Sequence, residues 1–175
     1  TKVALESPEE SGEELIVEIL EANAESAKGG GIDGITECVE VLAKTDAGAS
    51  ALSSLVTKGT SNQAARVQAV TALGDRKMQG NVVTVKLASR AEASAAMSSI
   101  AAAPPMQAMS VMSCIDVSSV ETARAMADGG AVELLTNSLT KNSDDAASRH
   151  AAIDTLAHMV NAVKLANVPG SVKET

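Results

Sequence analysis

The sequence predicts an all-α chain, an α-solenoid of about three to four helical repeats preceded by a flanking helix. Three observations predict it. Alanine-rich segments are separated by Gly, Ser, Asn and Pro breaks, and no stretch shows a convincing two-residue alternation. Related segments return roughly every 40 residues. The 175 residues contain no Phe, Tyr or Trp although 45% are apolar, so the core must consist of Ala, Val, Leu, Ile and Met. Small side chains let helices approach closely and Met fills irregular gaps. With few large anchors, modest stability is expected.

The elements follow in order. The first helix opens at Ser7-Pro8-Glu9-Glu10, with Ser7 as N-cap, or at Ser11, where Glu14 completes a capping-box spacing. Its apolar face is Ile16, Leu20, Ala24 and Ala27, and Gly29-Gly30-Gly31 stops it. Further helices are expected at 32–43, 48–57, 61–74, 81–88, 91–102, 105–115, 119–128, 131–140, 144–160 and 161–167. The β-branched run Val82-Val83-Thr84-Val85 sits uneasily in one of them. The pair Pro104-Pro105 fixes a break. Residues 1–30 form an acidic flanking unit and 31–175 the repeat domain.

Two markers carry the repeat. Ala65 to Gly74, Gln107 to Ile115 and Ser148 to Ala157 align so that Val70, Val111 and Ile153 coincide. Separately, Leu87-Ala88, Met126-Ala127 and Leu165-Ala166 recur at steps of 39 residues, with Leu42-Ala43 as a possible earlier copy. The run Ala123-Arg124-Ala125-Met126-Ala127-Asp128-Gly129-Gly130-Ala131-Val132-Glu133-Leu134-Leu135 resembles an armadillo repeat junction. There a helix ends in an acid and two glycines before an apolar second helix. Asp144 to Val160 resembles the third helix of such a repeat, and Asn161 to Gly170 the start of the next. The resemblance is clearest over 121–170, weaker over 42–120, and HEAT repeats are a close alternative. It implies a right-handed solenoid whose third helices line a concave groove for partner proteins. The family's groove Trp would fall at Thr71, Met112 and Asp154, and its groove Asn at Asp75, Asp116 and His158. Neither ladder is present, which argues against recognition of nuclear-localisation signals. What remains is a groove with Asp75, Asp116 and His158 as expected partner-binding residues.

Charge sets the other boundary. The net charge is −8, and residues 1–40 hold eleven acidic side chains against Lys2 and Lys28. The remainder is nearly neutral, so nucleic acid is not an expected partner. Glu14, Glu18, Glu21 and Glu25 form a stripe at helical spacing. Like charges so placed repel, which suggests docking of a basic partner, although a solvated face explains them too. No run of about 18 apolar residues exists for a membrane span, and no signal peptide is visible. Cys38 and Cys114 form no disulfide framework, so an intracellular, reducing compartment is expected, cytoplasm or organelle interior. The absence of a starting Met suggests a processed or truncated chain.

Candidate chemistry is sparse. Gly29 to Gly34 fits G-x-G-x-x-G but follows an acidic helix rather than a strand, so helix punctuation explains it better than a phosphate loop. His150, Asp154 and His158 share a helical face, yet the histidines are too far apart along it to share one ion easily. Ser138-Leu139-Thr140-Lys141 fits S-x-x-K without its companion motifs. Met106, Met109 and Met112 suit either a soft binding surface or a Met-filled core. Arg66 and Arg149 share a repeat position and suit a structural hydrogen bond to a loop carbonyl, or partner contact. No cofactor or metal is expected. The expected function is a non-catalytic protein-interaction scaffold or adaptor. A structural subunit of a large permanent complex is the first alternative, and an enzyme on an unrecognised helical fold the second.

Overall fold

A computed structural model of the chain describes residues 12, 15–22, 33–58, 63–117, 119–141 and 146–166. Among them helix α1 covers 15–22, followed by α2 (Asp33–Ala43), α3 (Asp46–Thr57) and α4 (Gln63–Met78). Strand β1 (Val85–Lys86) leads to α5 (Arg90–Ala102) and α6 (Pro105–Met112). Strand β2 (Ile115–Asp116), α7 (Val120–Asp128), α8 (Ala131–Lys141) and α9 (Ala146–Ala166) complete the chain. The fold is mostly helical, as expected.

The helices pack in two rows. One runs α3, α5, α7; the other runs α2, α4, α6, α9, with α8 against α7 and α9. The α4–α6 seam is the most extensive contact. Its tightness follows from composition. Ala65, Ala69 and Ala108 are buried along with Val70, Leu73, Val111 and Met112. The buried apolar residues of α5 are Ala93, Ala96, Met97 and Ile100, the i, i+3, i+4, i+7 spacing of an amphipathic helix, and Ser99 is buried beside them.

Caps mark the helix starts. Thr45, Ser89 and Ser119 each have extended backbone and accept from the amide three residues on, Gly48, Glu92 and Thr122. At the end of α4, Gly80 has φ +84°, the left-handed region. Its amide donates to the Lys77 carbonyl and that of Asn81 to the Arg76 carbonyl, which closes the helix in a Schellman motif.

Several helix expectations are corrected: α4 runs past 74 to Met78, α6 stops at Met112 so that Ile115 falls in β2, and two segments differ more deeply. Residues 81–88 are not a helix. Gly80 ends α4, and the β-branched run continues extended, with Val83, Val85 and Leu87 buried and Val82, Thr84 and Lys86 exposed. That is a two-residue alternation after all, and β1 pairs parallel with β2 in the register Val85 to Ile115 and Lys86 to Asp116. The expected break between 160 and 161 is also absent, since α9 runs through both segments. Asn161 has no Pro or Gly beside it to stop the helix.

The repeat markers fare differently. The first lies on α4, α6 and α9, which follow one another in one row. Val70 and Val111 are fully buried, but Ile153 is 55% exposed and Ala152 takes the inward position. The second marker does not hold, because 85–88 is extended while 123–127 and 163–166 are helical.

Candidate functional site

A groove lies between α3 and the extended segment 80–86. Its volume is about 750 Å³. One wall is the polar face of α3, Ser50, Ser53, Ser54 and Thr57, spaced i, i+3, i+4, i+7 on a helix whose other positions Leu52, Leu55 and Val56 are core. The opposite wall is Gly80 to Thr84 with Lys86. A second depression of about 320 Å³ adjoins it, lined by Glu40, Lys44, Asp75 and Gln79 among others. Arg76 and Asn81 line both.

Arg76 is the structural pivot of this region. Its side chain is 8% exposed, although it is charged. One guanidinium nitrogen donates to the Ala43 carbonyl at 2.8 Å, and another to the Asp46 carboxylate. Its Nε is buried without a partner. Arg76 therefore ties the end of α4 to the α2–α3 turn. Asp46 is 98% exposed and remains hydrated when the pair is broken, whereas the Ala43 carbonyl loses its donor. Arg76→Met is therefore expected to cost about 1–3 kcal/mol, and Asp46→Asn less than about 1 kcal/mol. Urea unfolding followed by circular dichroism measures both; equal costs would show that the ion pair, not the carbonyl bond, holds the turn.

The backbone of the groove's far wall is partly unengaged. The Val85 amide donates to the Cys114 carbonyl at 3.0 Å, which binds β1 to β2 on one side. Successive residues of a strand alternate, so the Thr84 and Lys86 amides and carbonyls turn to the other edge. Both residues line the groove.

The residues expected from the sequence lie on different elements and differ in exposure. Asp75 lines the smaller depression, and its carboxylate accepts from Gln107 Nε2 at 2.9 Å, a bond between α4 and α6. Asp116 is exposed on β2, and His158 is exposed on α9. Glu18 is exposed and Glu21 half-buried on α1, while Glu14 and Glu25 lie outside the described residues. Of the Trp-like positions, Met112 is fully buried, Thr71 is half-buried with its hydroxyl on the Val67 carbonyl, and Asp154 is exposed. The burial of Met112 takes that one Trp-like position out of a partner's reach. Arg76 and the hydroxyl face of α3 were missed; the spacing 50, 53, 54, 57 was the available signal.

The remaining candidates resolve in structural terms. His150 Nε2 lies 3.3 Å from an Asp154 carboxylate oxygen, both exposed, and His158 is not part of the pair. Among the described residues, no three His, Cys, Asp or Glu side chains gather as metal ligands. Ser138 is buried, which puts its hydroxyl out of a substrate's reach. Gly29 to Ile32 lie outside the described residues. Met109 and Met112 are core while Met106 is exposed. Arg66 donates to the Ala95 carbonyl, within helix α5 rather than a loop, at 3.3 Å. Burial pushes the Cys114 thiol up from its ordinary range, with smaller opposing effects from the Ser113 hydroxyl and Lys77. Among the described residues, no helix is long and apolar enough to cross a membrane. Comparison with protein-family models, curated proteins and solved structures finds no match for the chain.

Proposed function

We propose that this chain is a non-catalytic protein-interaction scaffold, a short right-handed stack of armadillo-like repeats. The groove beside β1 receives an extended, polar segment of a partner protein. One observation carries the reading: Thr84 and Lys86, whose backbone groups alternate away from β2, line a groove whose opposite wall carries hydroxyls. An extended segment laid there adds a strand to β1, and its other backbone groups meet Ser50, Ser53, Ser54 and Thr57 across the groove. Lys86 at the rim favours an acidic side chain on that segment. The succession of α4, α6 and α9 in one row, with Val70 of α4 and Val111 of α6 buried at the same marker position, supports the stacked-repeat reading.

The test is crosslinking of the natively purified protein followed by mass spectrometry, with Thr84→Pro as the comparison. Proline removes the amide on the groove edge and leaves the Val85 bond to β2 in place. Wild-type protein is expected to crosslink partners through Lys86, and Thr84→Pro to lose them while keeping its helical circular dichroism. Undiminished capture by Thr84→Pro would refute strand addition, and the absence of any partner would refute the scaffold. Partners in one fixed stoichiometry would identify a permanent subunit rather than an adaptor.

A further inference from the structure

Both ends of the helix stack carry an apolar groove. At one end α1 and α2 enclose about 440 Å³, lined by Ile16, Ile19, Val41, Leu42, Cys38 and Glu37. At the other, α7, α8 and α9 enclose about 280 Å³, lined by Ala127, Val132, Leu156, Val160, Arg124 and Lys164. Large apolar side chains stand exposed at both: Leu15, Ile19 and Val41 at the first, Val132 and Val160 at the second. A stacked-helix chain needs polar terminal faces to stay dispersed, and among the described residues these apolar side chains interrupt them.

The two ends complement each other. The first groove has Glu37 as its charged lining residue. The second has Arg124 and Lys164. Ridges of one helix surface fit the grooves of another. The Leu15–Ile19 ridge of α1 matches the α7–α9 groove in kind, and the Val160 ridge of α9 matches the α1–α2 groove. Two copies meeting by like ends would set Glu37 against Glu37, or Arg124 and Lys164 against their own copies.

We infer that the chain self-associates head to tail, the α1–α2 end of one copy docking on the α7–α8–α9 end of the next. Such an interface is heterologous: it leaves one free end of each kind and extends into a ring or filament. It uses surfaces apart from the β1 groove, so it stands or falls independently of partner binding there.

Sedimentation velocity with interference optics tests it, since the chain lacks Trp and Tyr. Wild-type protein is expected to grow in mass with concentration, and more weakly at high salt. Val41→Arg blocks the first end and Val160→Glu the second, each by placing a like charge against the opposing groove. Each variant alone is expected to weaken association by more than about tenfold, as an unpaired charge in an apolar contact does. An equimolar mixture of the two is expected to recover a dimer and stop there, because one intact end of each kind remains. Alkylation of the exposed Cys38 provides a second readout, with protection in the associated form and none in the blocked variants. A wild-type monomer at up to about 1 mM overturns the inference. So does association of Val160→Glu alone at wild-type strength, which would mean like-end docking through α1 and α2. A mixture that stays monomeric overturns it as well.

Discussion

Replacing Gly74 with Ala lowers the midpoint of thermal unfolding by about 4–8 °C, the effect of a net cost of about 2 kcal/mol. Gly74 sits on α4 at its seam with α6, and a Cβ built there lies 2.6 Å from both Cα and Cβ of Gln107 and 2.8 Å from its carbonyl oxygen. Carbon atoms rest about 3.5–4.0 Å apart, so the helices must separate by roughly 1 Å. Two of the three obstructing atoms are backbone, and no rotamer change relieves them. A gap of that size forfeits a quarter to a half of each dispersion contact along the seam. The seam includes Ala69, Val70, Leu73, Ala108, Val111 and Met112, all buried. The cost is about 3 kcal/mol, at the upper end of ordinary overpacking. Removing a glycine from a helix gives back about 1 kcal/mol at most, so packing decides the sign. At about 2–4 °C per kcal/mol for a chain of this size, the shift follows. Circular dichroism at 222 nm reads it without aromatic absorbance. Wild-type protein is the control, since helix propensity alone would leave the midpoint of Gly74→Ala at or above it. A midpoint for Gly74→Ala that matches this control would show that α4 and α6 slide freely past one another.

Local chemistry made the helices legible, and distant chemistry hid the rest. Pro104-Pro105 and Gly129-Gly130 announce breaks that α5 to α8 respect, because proline and glycine act through their own backbone. The β1–β2 pair was not legible, since a parallel partner lies 30 residues away and each strand is two residues long. Even so, the β-branched run at 82–85 was a warning that the helical reading overrode. The second repeat marker failed for a compositional reason. Where alanine is so common, a Leu-Ala or Met-Ala step recurs without shared structure. Arg76 was invisible for another: a buried guanidinium is recognised by what it reaches, and Ala43 and Asp46 are some thirty residues away. Asp75 has a structural bond that its place in the sequence did not announce. It borders a depression, but its carboxylate is engaged by Gln107 across the α4–α6 seam.

Met112 decides between the two meanings of the methionine run. By resemblance it occupies a position where a groove side chain would stack on a bound peptide; in the structure it is fully buried on α6. In a chain without aromatics, Met, Leu and Ile supply the largest core volumes, and Met112 ranks with Met97, Ile100 and Met126 among the fully buried ones. Met112→Ala removes three heavy atoms from that interior and leaves a cavity that close-packed neighbours refill only in part. The expected cost is about 2–5 kcal/mol. Met106, on the same helix but 54% exposed, is expected to change stability by no more than about 0.5 kcal/mol when replaced by Ala. Urea unfolding of the two variants gives the contrast directly, and the slope with denaturant checks that both still unfold in one transition. If Met112→Ala is as stable as Met106→Ala yet captures fewer partners, the side chain belongs to a binding surface. The α4–α6 row would then open toward a ligand instead of closing on itself.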